Sequence, residues 1–409
     1  MTKYLLAAAG IILLASASLA ISKVDCTLKS STCSIINVIG DDPYNSKFHG
    51  YADATIRKDP LTGTLWMAYS WPHTIRNGPA RPVTGVLDIH LAYSKDGGKT
   101  WRYKGPLFTA QTMQNPATGQ TDYNSHEVMN LYPQVIKGVT YWYGVHSVYA
   151  EPIGRIGGST PQPYSKRWAI AFAPGTADGG PMSLSTATPQ YLGQNQTNTS
   201  AFPVSANLSS LHSEVSACAT YFEPALVMSG NNLYLFLQCV TGRDPAGYFY
   251  AVFKTSNPQD HAPNWQWSYI PQGTTKFADQ RDAMSAGSRL GGGGSYITQM
   301  DIAPGKTTSN LLAIFTVANV GSTNQNQYGK IGLGCVAAEL ASIDPPKFVY
   351  HSGQVQVDAA VTSSDSVSQG PDSCTYSPDS ATGIIIAHKL SRDPTYGFYI
   401  RLMQSPLFP

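Results

Sequence analysis

A hairpin of two apolar strands joined by a turn bearing Gly or Asn recurs five times along this 409-residue chain. No other feature constrains the fold so strongly. The copies run Ala52–Ile56 to Leu65–Ser70, Leu131–Val135 to Tyr141–Val145, Glu223–Val227 to Leu233–Leu237, Tyr296–Met300 to Leu311–Phe315, and Cys374–Tyr376 to Ile384–Ala387. Each is followed by a third strand, such as Asp88–Tyr93, Trp168–Phe172 or Tyr248–Phe253. Trp101–Tyr103, Trp267–Ile270 and Lys347–Tyr350 are candidates for a fourth. The spacing, roughly 75 to 95 residues, suits a four-stranded blade with long loops, and radial repetition of such blades protects their edges. The reading is an all-β propeller of five blades, with six as the alternative if a degenerate copy lies between Pro181 and Ser213 or before His49. The last copy ends before its fourth strand, which the segment Ser34–Ile39 is placed to supply.

Met1 to Ala20 have the form of a secretory signal: Lys3, an apolar stretch Tyr4–Leu14, and the small-residue site Ser18-Leu19-Ala20. Residues 21–409 then form one domain, without a membrane-spanning stretch. The even count of six cysteines suits an oxidising compartment, and none has the C-x-x-C spacing of a metal or redox site. Sequence leaves their pairing open. Spacing favours Cys26 with Cys33 and Cys218 with Cys239, which would leave Cys335 with Cys374. Only 13% of residues are charged and the net charge is +2, which argues against nucleic acid and anionic membrane as partners. The 24 tyrosines and 7 tryptophans favour an uncharged ligand, carbohydrate first.

Ser94-Lys95-Asp96-Gly97-Gly98-Lys99-Thr100-Trp101 fits the pattern S-x-D-x-G-x-T-W at every defined position, and Lys254–Asn257 followed by Trp265 looks like a degraded copy. The first segment resembles the Asp-box of sialidase-like propellers. In that family the box is an outer turn between the third and fourth strands of a blade, and the active site lies at the mouth of the central funnel. The arginine-bearing opening of sialidases is replaced here by Tyr51-Ala52-Asp53-Ala54.

The inner strands are similar to those of five-bladed arabinanase- and xylosidase-type glycosidases, where an Asp opens the first inner strand as base and a Glu in an E-G-P-like motif is the acid. Asp53, followed by Gly63-Thr64-Leu65-Trp66, and Glu223 in Glu223-Pro224-Ala225-Leu226 carry that resemblance.

Glycoside hydrolysis needs two carboxyl groups flanking the scissile bond, about 6.5–9.5 Å apart for inversion and about 5–5.5 Å for retention. In a chain with so few charges, an acid opening an apolar hairpin is costly unless used or paired. Asp53 as base and Glu223 as acid are the first choice, with Glu127 or Asp372 tuning them; Asp301, beside Ala303-Pro304-Gly305, reads as a turn residue. His126, Tyr132 and Tyr376 are candidates for bonding sugar hydroxyls, and Trp66, Trp71 and Trp142 for stacking. No cofactor or metal is called for. The expected function is a secreted, exo-acting glycoside hydrolase; the alternatives are a non-catalytic propeller lectin or adhesin and a divergent sialidase.

Overall fold

The computed structural model describes residues 21–27, 30–42, 48–76, 83–154, 168–177, 179–194, 201–242, 244–260, 264–267, 276–305, 310–320, 330–364, 368–379, 384–393 and 397–406. The proposed signal segment 1–20 lies outside them.

The described strands form five sheets of four to six strands and a two-stranded ribbon. Their inner strands are Ala52–Lys58, Thr121–Ile136, Thr220–Ser229, Tyr296–Pro304 and Ser368–Ser377; each touches the next, and the fifth touches the first. That closed cycle is the propeller arrangement expected from the repeats.

The described residues form four blades, not the five or six expected, with a fifth, incomplete sheet closing the ring. Four sheets are self-contained four-stranded antiparallel blades, whereas the last has only three strands of its own, Ser368–Ser377, Ile384–Asp393 and Gly397–Pro406. Its antiparallel edge comes from Ser34–Ile35, paired with Gln404 and Met403, so the N-terminal segment completes this sheet as expected. Val38–Ile39 continues onto the first blade beside Trp101 and Arg102. Among the described residues of the stretch from Pro181 to Ser213 there is no further blade: Gln190–Gly193 is the outer strand of the second. In the fourth blade the outer position belongs to Val357–Thr362; Pro346–Phe348 pairs only with the end of the preceding strand.

Every sheet packs on both faces, which explains why the middle strands read as unbroken apolar runs. In Asn232–Val240, Leu233, Leu235 and Leu237 face the core shared with the second blade, while Tyr234 and Phe236 face that shared with the fourth. Equivalent cores lie between the first and second sheets around Ile89, Leu131 and Trp142, between the fourth and fifth around Ile314 and Tyr376, and between the fifth and first around Leu402 and Met67. The disulfides Cys26–Cys33, Cys218–Cys239 and Cys335–Cys374 all form, and the last ties the third strand of the fourth blade to the inner strand of the fifth sheet.

The helix Gln280–Leu290 was not legible as one. It is short, with Asp279 capping the amides of Arg281 and Asp282, and it buries Ala283, Ala286 and Leu290 on the fourth blade. Gly294 lets the return strand pass it, since a Cβ there would sit 2.2 Å from the Ala283 carbonyl.

The same helix buries Asp282, which accepts from Tyr350 Oη at 2.8 Å and from the Ala278 amide at 2.9 Å. Burial outweighs those bonds and pushes its carboxyl up to about 6. A folded-state value above the unfolded one makes ionisation oppose folding, so stability is lost as pH rises from about 4 to about 6. Asp282→Asn should therefore gain on the wild type across that window, by on the order of 2 kcal/mol above it. Urea unfolding at a series of pH values checks this; a constant difference from pH 4 to pH 7 would refute it.

Candidate active site

Each of the five inner strands carries a bulge at the same level. The registers slip between Ala52 and Thr55, Glu127 and Asn130, Phe222 and Ala225, Thr298 and Asp301, and Asp372 and Cys374. Within each slip one non-glycine residue takes a left-handed conformation: Asp53, Val128, Glu223, Gln299 and Ser373, with φ of 48°, 55°, 50°, 51° and 57°. Such a conformation is uncommon for any side chain and costly for a β-branched valine. Five occurrences at one level mark a built feature, and bulges of this kind re-aim side chains where a sheet approaches a site.

Neighbouring blades hold the bulges. The Val128 amide donates to Ser70 Oγ (3.0 Å), the Ser373 amide to Thr316 Oγ1 (2.9 Å), and the Met300 amide to Tyr250 Oη (3.0 Å). Gln299 Nε2 donates to Asp53 Oδ1 at 3.2 Å, linking bulge residues of the fourth and first blades, which are not neighbours in the ring. The bulges therefore converge on the axis. Asp53 and Glu223 occupy equivalent places in the first and third blades, and Glu127 and Asp372 each precede a bulge residue by one.

All five inner strands line an axial pocket of about 20 Å³ that is open to solvent, with Asp53, Pro224, Gln299 and Ser373 in its lining and room for a water within it. Beneath it lies a buried ionic knot. Asp301 receives both Arg57 terminal nitrogens, Asn130 Nδ2 (2.8 Å) and Thr375 Oγ1 (2.6 Å). Arg57 also donates to the Ile302 carbonyl (3.0 Å), and Asn130 Oδ1 accepts from the Leu226 amide (3.0 Å). Asp301 is thus no turn residue; it is the point where all five inner strands are joined. Arg57 is committed to it, while Arg281 and Arg289 sit on the outer helix, so these three do not gather on a substrate carboxylate.

The acids share their surroundings with buried aromatic side chains. The Tyr149 phenol is pushed well above its ordinary range by burial, then by the charges of Glu127, Glu151 and Asp53. Tyr250 is raised in the same way by burial and then by Glu223. Tyr149 stacks on Trp168 at 4.1 Å between ring centroids, and Trp168 meets Phe222, the residue before Glu223, edge-on at 4.6 Å. This wall spans from the Asp53 side to the Glu223 side. Gln299 and Trp168 were missed in the sequence, where neither an amide nor a Trp opening a third strand signals a site.

Several expected ligands lie elsewhere. Trp142 is fully buried between the first two blades, Tyr376 between the fourth and fifth, and Tyr132 is packed between cores of the second, third and fourth. His126 is buried against Phe108 and bonded through Nδ1 to His146 Nε2 at 3.0 Å; burial drives it down to about 4, so it is a neutral interior residue. Trp71 lies one residue past Ser70 and stacks on His90 at 4.4 Å. Trp66 pairs with Arg57 and Tyr93 and packs toward the outer part of the first blade. Among the described residues no three His, Cys, Asp or Glu side chains come together in a metal-ligating group.

The predicted outer turn has the expected form. Asp96 accepts from Ser94 Oγ (2.7 Å), Thr100 N (3.0 Å) and Thr100 Oγ1 (2.6 Å), and Trp101 is buried. The degraded copy repeats it, with Thr255 Oγ1 donating to Asn257 Oδ1 at 2.7 Å and Trp265 buried.

No family model matches the chain, and no curated protein does. Solved structures with a similar path include an exo-1,5-α-L-arabinanase from a bovine ruminal metagenomic library, with 10% identity over 89% of this chain and 95% of that one, TM-score 0.45. An α-L-arabinanase mutant of Cellvibrio cellulosa shares 10% identity over 87% and 92%, TM-score 0.47. An α-L-arabinofuranosidase of Fusarium graminearum shares 12% over 92% and 98%, TM-score 0.45. At these identities no site residue carries over from them.

Proposed function

We propose that the chain is a secreted glycoside hydrolase, exo-acting, working at the axial end of a ring of five sheets with the N-terminal segment closing the last. The observation that carries this is the placement of Asp53 and Glu223 at equivalent left-handed bulges of the first and third inner strands. Two carboxyl groups on non-neighbouring blades, brought to one level at the axis, meet the first requirement of glycosidic cleavage.

In this reading Asp53 is the base. The Gln299 amide donates to it, and Thr316 Oγ1 donates to Gln299 Oε1 (3.5 Å), which fixes the amide's direction. Asp53 also borders the water-sized axial pocket, where an activated water would stand. Glu223 protonates the leaving oxygen, with buried Tyr250 beside it; Glu127 and Asp372 stand at the same level, each one residue before a bulge. Trp168, edge-on to the residue before Glu223, is the sugar platform. Three disulfides suit an extracellular setting, and residues 1–20 would supply the export signal.

A panel of aryl arabinosides, xylosides and sialosides tests the reading. Release of the aryl group from at least one pentoside is expected, with single sugars as products from oligosaccharides. Binding to a glycan surface with no turnover of any member would replace hydrolysis with the lectin reading.

A further inference from the structure

A second open feature, away from the axis, lies on the outer part of the first blade. A surface pocket of about 200 Å³ is lined by Tyr93, Ser94, Lys95, Asp96, Thr100 and Arg102. Register sets its aromatic wall: Tyr93 and Arg102 are direct cross-strand neighbours and share one face of the sheet, and behind the pocket the Tyr93 ring lies 5.7 Å from that of Trp66, which packs on the core between the first two blades. The rim is cationic. Lys95, Lys99, Arg102 and Lys104 fall within ten residues that hold one acid, Asp96, in a chain whose 27 basic and 25 acidic residues otherwise nearly balance. All four cations are exposed and none forms an ion pair among the described residues. Asp96 accepts from Ser94 and Thr100, bonds that hold its carboxyl down to about 2, so it is ionised and offsets one of the four positive charges, leaving an excess of three.

We propose that this pocket is a second, non-catalytic glycan site that takes a uronate-bearing polysaccharide. Tyr93, half-buried and backed by Trp66, offers a ring face to the C–H face of a sugar. The Arg102 guanidinium presents the planar donor pair that matches a carboxylate, Lys95 adds a second cation across the pocket, and Thr100 is at hand for hydroxyls. A phosphate-rich partner would use the cations and leave the aromatic wall idle; a neutral glycan would do the reverse. Only an acidic sugar chain uses both. The site stands apart from the axial acids and does not depend on what they do.

Affinity electrophoresis in gels containing polygalacturonate, at low ionic strength, tests this with the whole protein. Retardation of the wild type is expected, weakening as salt is raised. Arg102→Gln and Tyr93→Ala should each weaken it at least about fivefold with the circular dichroism spectrum unchanged, since both side chains lie at the surface and the turn bonds of Asp96 are left in place. Glu223→Gln should be retarded like the wild type, which separates this site from the axial one. No retardation of the wild type would overturn the proposal. So would retention that survives Tyr93→Ala and is matched on phosphatidylserine vesicles or polyphosphate, because the patch would then be a simple cation exchanger. Should Tyr93→Ala disturb the fold, Tyr93→Leu, which keeps apolar bulk against Trp66 and removes the ring, carries the same test.

Discussion

Glu223→Gln and Asp53→Asn are each expected to lower turnover of an unactivated aryl pentoside by about 10³-fold, within the span that general acid–base groups contribute. The two losses should separate with the leaving group. A dinitrophenolate departs without protonation, so on such a substrate Glu223→Gln should retain activity to within about tenfold of wild type, whereas Asp53→Asn stays fully impaired because the water still needs its base. Kinetics of both variants on a poor and a good leaving group decide the assignment. Equal losses on both substrates for Glu223→Gln would remove it from the acid role, and unchanged turnover in Asp53→Asn would remove the base. Both replacements are near-isosteric and preserve the side-chain volume at the bulges, so intact near-UV dichroism is the control.

The equivalence of these two acids was legible in the sequence because each opens an apolar hairpin at the same point of its repeat. What the hairpin pattern does not reveal is the bulge. Period-two alternation tolerates one extra residue without losing its apolar face beyond the slip, so Val128, Gln299 and Ser373 give no sign that they share the left-handed geometry of Asp53 and Glu223. The same limit explains the misplaced aromatics. A sheet packed on both faces buries alternate side chains in opposite inter-blade cores, so a Trp in a middle strand has two ways to be interior and few to reach the funnel, as Trp142 illustrates. Trp168 reaches the wall since it stands at the first residue of its strand, where the neighbouring core ends. The fifth sheet was legible in its N-terminal closure because the last repeat visibly lacks an outer strand. The short outer strands were less so, as Gln190–Gly193 has only four residues and Val357–Thr362 follows a long insertion.

Loss of either partner of the Arg57–Asp301 pair should cost more stability than any other single change near the axis. Both side chains are almost fully buried, 6% and 5% exposed, and every oxygen of Asp301 is engaged by Arg57, Asn130 or Thr375. Asp301→Ala strands a guanidinium in the interior, and Arg57→Met strands a carboxylate together with the donors that were arranged around it. Each is expected to lose about 3–5 kcal/mol. The double replacement Arg57→Met with Asp301→Leu removes both charges and fills part of the volume, so it should lose less than the sum of the two singles. Urea unfolding of the four proteins in a double-mutant cycle measures the coupling. Additive losses, or single variants within about 1 kcal/mol of wild type, would show that the knot does not act as a unit. The reasoning rests on topology as much as on charge: through Asn130 and Thr375 the pair reaches the second and fifth inner strands, and through the Leu226 amide the third. A chain that brings its acids to the axis on five separate strands needs those strands fixed to one another just below, and this one does so with a single carboxylate.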